Sequence, residues 1–399
     1  MRRSRKSSKS KNHKKEAKVT SVRSPRLNSG FTRIKVVGVG GGGGNAISRM
    51  MEGDRMRGVE FIAVNTDAQD LDHTLAHRKI YIGKALTRGL GAGMNPDIGK
   101  QAAEENRSEI GEALEGSDVV FITAGMGGGT GTGAGPLIAE VSRDKGILTV
   151  GIVTKPFLFE GTQRLTIAQD GIARLKEKVD ALVVIPNDRI FGLIDKDTPV
   201  SRAFSFIDDV LKNGVKAISE LINIPGLINI DFADIRTILK DAGPTLIGIG
   251  VASGNDRSVK AVDAAVNSPL LEISIDGAKG VLFSVAGGKD LKMSEINDIA
   301  KAVSANLDAN ARVIFGAYHD RSLKDKSVKV TVIATGFNGI FSGSRFGAPS
   351  LFVGDSSLSK NESSLEASRL PEKPLGSKEL ASQDEESWAV PTFLRKKRK

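Results

Sequence analysis

From residue 31 onward the chain alternates short, wholly apolar runs with longer stretches in which apolar residues return every three or four positions. The runs at 34–39, 59–64, 119–123, 148–153 and 181–185 are rich in Val and Ile and lack polar alternation, which predicts strands buried on both faces. Between them, segments such as 97–114 and 162–178 read as amphipathic helices. Strand and helix in steady alternation predict a parallel sheet with helices on both faces.

After the turn-like Asp197-Thr198-Pro199 the period changes. Ala203, Phe204, Ile207, Leu211, Val215, Ile218 and Ile222 form one apolar stripe, and about 22 helical residues would span about 33 Å, the width of a small domain. Ile224-Pro225-Gly226 ends that helix, which is placed to be the spine between two α/β segments. The second segment carries strands near 245–250, 281–285, 312–317 and 328–334, and helices near 258–267 and 294–307. Residues 338–387 are rich in Ser, Glu, Lys and Gly and read as a flexible linker. Apolar character returns at Trp388, Val390, Phe393 and Leu394.

Charge alters this picture only at the ends. The formal net charge is +10, yet residues 1–30 alone hold eleven Lys/Arg against one acid, Glu16, so the rest of the chain is neutral. The first 30 residues read as a solvated basic arm, with an anionic membrane or nucleic acid as the sharper alternative. A specific nucleic-acid role for the neutral body is not expected. The arm has no apolar stretch of signal-peptide length, and residues 1–18 form no amphipathic face for a transit peptide. No apolar run reaches the roughly 18 residues of a membrane-spanning helix. The absence of Cys excludes disulfides and thiolate metal sites, and fits a cytoplasmic setting.

Two glycine-rich stretches each follow a strand and lead into a helix. In Gly38-Val39-Gly40-Gly41-Gly42-Gly43-Gly44-Asn45, missing Cβ atoms allow close backbone approach, and a helix N-terminus offers free N–H groups to phosphate. Gly38-x-Gly40-x-x-Gly43 also matches a dinucleotide loop, so on this element alone a Rossmann oxidoreductase stays open, with Asp67 in the place of its ribose-binding acid. The second stretch is Gly125-Met126-Gly127-Gly128-Gly129-Thr130-Gly131-Thr132-Gly133. Its successive amides can form an anion-binding concavity, with Thr130 and Thr132 adding hydroxyls. A dinucleotide fold needs one phosphate loop; this chain has two. No Gly-Lys-Ser/Thr follows either, so a P-loop lysine is absent.

The run Gly127-Gly128-Gly129-Thr130-Gly131-Thr132-Gly133 resembles the signature loop of the tubulin and FtsZ family of GTPases. Further matches favour the FtsZ branch: Asn65-Thr66-Asp67-Ala68-Gln69, Gly89-Leu90-Gly91-Ala92-Gly93, Thr154-Lys155-Pro156-Phe157, Phe159-Glu160-Gly161, Pro186-Asn187-Asp188 and Asn229-Ile230-Asp231-Phe232-Ala233-Asp234. The likeness runs through residues 31–337 and returns in the last dozen. It implies a tubulin/FtsZ-like fold: a Rossmann-like, parallel-sheet GTP-binding domain at 31–198, a central helix at 199–223 and a smaller α/β domain at 224–337. A linker at 338–387 and a partner-binding peptide at 388–399 would complete the chain.

The resemblance also implies roles. Gly41, Gly42, Gly43, Gly44 and Asn45, with Ala92, Gly93, Gly129, Thr130 and Gly131, would surround the phosphates of GTP or GDP, and Mg²⁺ would be held mainly through those phosphates. Glu160 and Arg164 would contact ribose and phosphate. Asn187 and Asp209 would read guanine, since a carboxylate accepts from N1–H and N2–H₂ while an amide donates to O6; adenine offers no such pair. Phe204 would stack on the base. Asp208, a second acid beside Asp209 and counted with the nucleotide-binding residues, stands where the family often has Asn, and Met94 where a smaller residue is common.

Asp231 and Asp234, at the start of a predicted helix, would ordinarily cap it. In the FtsZ pattern they, with Asn229, belong to a loop that completes the GTP site of the neighbouring subunit, so hydrolysis would require head-to-tail polymerisation. A non-hydrolysing scaffold is the alternative that retention of both acids disfavours. Val390, Pro391, Phe393, Leu394 and Arg395 resemble the family's C-terminal peptide, which docks membrane-tethering and regulatory division proteins. Val390 replaces the commoner Ile and Trp388 an acid, and the basic run from Arg395 would add weak attraction to anionic lipid. The expected setting is the cytoplasm, at the midcell division ring.

Overall fold

The computed structural model describes residues 32–337, apart from 53–55, 57, 196, 269–274, 306, 321–322 and 325. The basic arm, the linker and the C-terminal peptide lie outside the described residues.

The first half runs β1 (Ile34–Val39), α1 (Gly40–Glu52), β2 (Val59–Asn65), α2 (Ala68–His73), β3 (Arg78–Tyr81), α3 (Lys84–Thr87), α4 (Pro96–Glu105), α5 (Arg107–Leu114), β4 (Val119–Gly125), α6 (Thr130–Asp144), β5 (Leu148–Lys155), α7 (Thr162–Lys176) and β6 (Ala181–Pro186). Then come α8 (Val200–Asn223), α9 (Phe232–Leu239), β7 (Gly243–Ser253), α10 (Arg257–Val266), β8 (Gly280–Gly287), α11 (Met293–Ser304), β9 (Arg312–His319) and β10 (Ser327–Thr335). Among the described residues the strands form one ten-stranded sheet in the order β3-β2-β1-β4-β5-β6-β7-β10-β8-β9. From β3 to β7 every pairing is parallel, and β10 runs antiparallel to both its neighbours.

The apolar strands divide their side chains between two cores. On one face Ile34, Val36, Phe61 and Phe121 meet Ile47 and Met50 of α1 and Leu211, Val215 and Ile218 of α8. On the other, Val37, Val39, Ile122 and Val153 meet α4 to α7. A third core packs α10 and α11 against β7, β8 and β10. Most of the stripe expected on α8, Ala203, Ile207, Leu211, Val215 and Ile218, is the face it buries, while Phe204 is exposed. Burying each such Leu, Ile or Val contributes about 1.5–3 kcal/mol.

The helix expected over 97–114 is two helices. Asn106 takes φ −107 and ψ 20, outside helical geometry, and its side chain accepts from Gly83 N at 3.0 Å while donating to Glu109 at 3.0 Å. A polar side chain that finds partners off the helix breaks the ladder. β3 and the short α2 and α3 carry too few residues to show a period. The second glycine loop is shorter than its glycine count suggests, because α6 already begins at Thr130. Gly133 belongs to a helix crossing: a Cβ there would lie 1.9 Å from Pro96 O of α4.

Candidate functional site

The carboxyl ends of β1, β2, β4, β5 and β6 open on one cleft of about 540 Å³. Parallel sheets place ligands at this end, because the loops leaving their strands and the helix N-termini they lead into converge there. The two glycine stretches meet at its floor. A Cβ on Gly42 would lie 3.2 Å from Gly125 N, and Gly40, in the left-handed region at φ +70, passes against Gly131. Bulkier residues would push these backbones apart. Side by side, α1 and α6 present N-terminal amides, the arrangement that binds phosphate without a lysine.

Of the residues expected to bind nucleotide, Gly41, Gly42, Asn45, Ala92, Gly93, Gly129, Thr130, Gly131, Glu160, Arg164, Asn187, Phe204 and Asp208 line this cleft. Gly43, Gly44 and Asp209 do not. Gly43 is buried against Gly38 and the carbonyl of Thr123, and Gly44 faces Thr74; both let α1 pack closely. The hydroxyls also differ from expectation. Thr132 Oγ1 accepts from Gly127 N at 2.9 Å, which fixes the loop, and Thr130 Oγ1 pairs with Thr66 Oγ1 at 2.6 Å.

The carboxylate that faces the cleft is Asp208, one position from the expected reader. Phe204, Ile207, Asp208 and Leu211 share one face of α8 and all line the cleft, at the spacing of three and four that a helix places together. Asp209 points to Arg49 of α1, with Nε 3.3 Å from Oδ1. Burial pushes the Asp208 carboxyl up to about 6, with Arg49 opposing and the Asp209 charge adding. Asn187 is 7% exposed, and its Oδ1 is buried without a partner. Such an orphaned polar atom is costly unless a ligand satisfies it. Phe204 stands edge-on to buried Phe157, with ring centroids 5.6 Å apart, and is 43% exposed at the rim.

Glu160 and Arg164, one helical turn apart, form a short ion pair; Glu160 also accepts from Phe157 N at 2.9 Å. Arg164 Nε is buried without a partner. Two further acids line the cleft, Asp67 and Asp70. Asp67 caps α2 by accepting from Asp70 N at 3.0 Å, and Asp70 Oδ2 accepts from Asn65 Nδ2 at 2.6 Å. A Cβ on Gly41 would lie 3.2 Å from Asp70 Oδ2, so this carboxylate faces the glycine cradle. The sequence carried a signal for both: they follow directly on β2, the parallel neighbour of β1.

Asp231, Asp234 and Asn229 lie outside the cleft. Asn229 accepts from Gly226 N at 2.6 Å and folds its loop. Asp231 occupies the N-cap of α9, yet its side chain makes no capping bond. Both aspartates are exposed and without a side-chain partner among the described residues. The side-chain cap that their place at a helix start predicts is not made by Asp231.

A doubly glycine-lined phosphate cleft without a lysine, on this sheet order, defines a tubulin-like nucleotide-binding protein. Residues 33–195 match the GTPase domain of the Tubulin/FtsZ family, and residues 243–338 match the C-terminal domain of the FtsZ family. An FtsZ dimer structure from M. jannaschii is 48% identical, covering 76% of this chain and 88% of that one, with TM-score 0.72. CetZ2 from Haloferax volcanii, solved as a GTPγS-bound protofilament, is 21% identical over 76% of this chain and 92% of that one, with TM-score 0.66, and shares the fold. The chain belongs to the FtsZ family and is a GTPase that binds guanine nucleotide. The oxidoreductase alternative falls with that assignment. No described helix is long and apolar enough to cross a membrane.

Proposed function

We propose that this protein hydrolyses GTP as a head-to-tail filament, in which Asp231 and Asp234 of one subunit complete the nucleotide site of the next, and that the filament builds the division ring at midcell. The observation that carries this reading is the pair of exposed, unpartnered acids at the start of α9, outside the cleft that most of the expected nucleotide-binding residues line. Phosphoryl transfer needs chiefly a positioned water and compensated charge. In this reading the cleft's own acids are otherwise engaged: Glu160 is held by Arg164, Asp70 by Asn65, Asp67 caps α2, and Asp208 is given to the base. A subunit alone would bind GTP and turn it over slowly.

In this reading the amides of α1 and α6 receive the phosphates, and Asp208 accepts from guanine N1–H and N2–H₂ in the role expected of Asp209. Asn187 meets the O6 edge, and Phe204 covers the base. The lining carries four carboxylates, Asp67, Asp70, Glu160 and Asp208, against one guanidinium, Arg164. A bare triphosphate would be repelled by Asp67 and Asp70, whereas Mg²⁺ shared with the phosphates would turn that repulsion into attraction. The ion would be held mainly through the phosphates, with Asp67 and Asp70 facing it, and would supply charge compensation. Residues 31–198 and 224–337 would act as the GTP-binding and activating halves on either side of α8, with Val390–Arg395 recruiting tethering proteins.

GTPase rate per molecule against protein concentration tests the shared site. A steep rise above a threshold is expected, and constant specific activity from far below to far above it rejects the reading.

A further inference from the structure

The end of α9 remote from Asp231 and Asp234 is fastened to the nucleotide-binding half by contacts that nucleotide binding does not require. Arg143, in the last turn of α6, donates to Asp241 Oδ1 at 2.6 Å and to the Glu177 carbonyl at 3.3 Å. Its Nε lies 3.7 Å from Asp180 Oδ1. Asp180 is itself anchored: Oδ2 accepts from Thr149 N at 2.8 Å, and its carbonyl accepts from Gly243 N at 2.8 Å. Arg236, on α9, adds a bond to the Gly146 carbonyl at 3.1 Å. Asp241 sits in the left-handed region at φ 52, a conformation Asp tolerates better than most side chains. That turn is where its carboxylate meets Arg143.

We propose that Arg143, acting through Asp241 and Asp180, is a positioning residue for the hydrolytic acids: the clasp sets the angle at which the acidic end of α9 leaves the body. This rests on the reading that Asp231 and Asp234 complete a neighbour's site. Stability alone is a poor account of the outer half of the clasp. The Arg143 and Asp241 side chains are 35% and 62% exposed, and an ion pair so open to solvent adds little to stability, whereas the inner partner, Asp180, is buried and also bonded to Thr149 N. Geometry is the larger lever. α9 has eight residues and is about 12 Å long, so a tilt of about 5° at its base moves the acidic end by about 1 Å. A misplacement of about 1 Å can cost roughly 10²-fold in rate.

The test uses full-length protein carrying Arg143→Ala, Arg143→Lys or Asp241→Asn. Measured are affinity of the monomer for a fluorescent GTP analogue, the assembly threshold, the unfolding midpoint and phosphate release per polymerised subunit. Affinity within about twofold of the parent is expected, with turnover per polymerised subunit down about 3–10-fold in Arg143→Ala and Asp241→Asn. Arg143→Lys should recover most of it, because the charge returns to the same place. Should Arg143→Ala fail to fold, Asp241→Asn, nearly isosteric and at the surface, decides the matter alone. A lowered unfolding midpoint with undiminished turnover overturns the proposal and leaves the clasp a structural tie. Full turnover after Asp231→Ala with Asp234→Ala would instead sink the parent reading. Loss there with intact turnover in the clasp variants sinks the positioning role only.

Discussion

The cleft and the loop at 229–234 are built on opposite principles. In the cleft most of the acidic and hydroxyl groups already have partners: Thr130 pairs with Thr66, Asp70 with Asn65 and Glu160 with Arg164. Its few orphaned atoms, on Asn187 and Arg164, mark where a ligand belongs. On the loop, Asn229 is committed to folding the turn, while Asp231 and Asp234 stand in solvent. A site whose groups are preorganised within one chain is suited to binding; on the proposed function, the exposed acids at the start of a short helix would act only when another subunit arrives. Separating the two would let assembly control turnover while affinity for nucleotide stays a property of the single subunit.

That separation is most directly broken at the loop. Asp231→Ala with Asp234→Ala should lower phosphate release on the order of 10²–10³-fold, the scale of losing a group that acts only in the transition state. Equilibrium binding of GTP to the unassembled protein should stay unchanged. Lost binding would place the acids in the cleft's own function and erase the division of labour.

Within the glycine-rich stretches, neighbouring positions should separate packing from ligand binding. Gly133→Ala puts a Cβ 1.9 Å from Pro96 O and should destabilise the fold by about 1–3 kcal/mol or more in denaturant titration. Gly135→Ala, two residues on in the same helix, meets nothing within 4 Å and should stabilise by about 0.4–1 kcal/mol. Similar effects at both would mean that the α4–α6 crossing is not tight.

Asp208 sharpens the cleft's side by pH. If its carboxylate accepts from guanine, GTP affinity should rise about tenfold per pH unit below about 6 and level off above it. The empty protein should behave in the opposite sense. A carboxyl whose folded value lies above its unfolded value of 3.8 binds its proton more tightly when folded. Stability is thus favoured below 3.8 and falls as pH rises through about 6. Asp208→Asn should flatten both profiles in nucleotide titrations and thermal melts from pH 5 to 8; an unchanged affinity profile would return the reading role to Asp209.

The smallest effect is expected at Arg49→Ala. Its pairing with Asp209 joins two side chains that are 42% and 40% exposed, so the loss should be about 0.2–1 kcal/mol in stability and vanish in high salt.

Much of this division was legible without coordinates. The glycine stretches, the strands and the resemblance to the FtsZ family locate the cleft, and that resemblance also picks out Asp231 and Asp234. Which of Asp208 and Asp209 faces the cleft is not legible in the sequence, because adjacent residues on a helix point about 100° apart, and only the rotation of α8 about its axis brings Asp208 to the lining. Phe204, Ile207 and Leu211 fall on the same face as Asp208. Thr132 could not have been assigned, because its partner Gly127 N depends on how the turn closes.

By itself, then, the order of residues determined the strands, the helix faces and the two backbone cradles, because apolar period and missing Cβ atoms act locally. Tertiary structure decided which carboxylate enters the cleft, that Asp67 and Asp70 share it, that Gly133 serves a helix crossing, and that Arg143 grips Asp241. Each of those depends on two distant segments meeting at a given rotation and distance, which no local preference encodes.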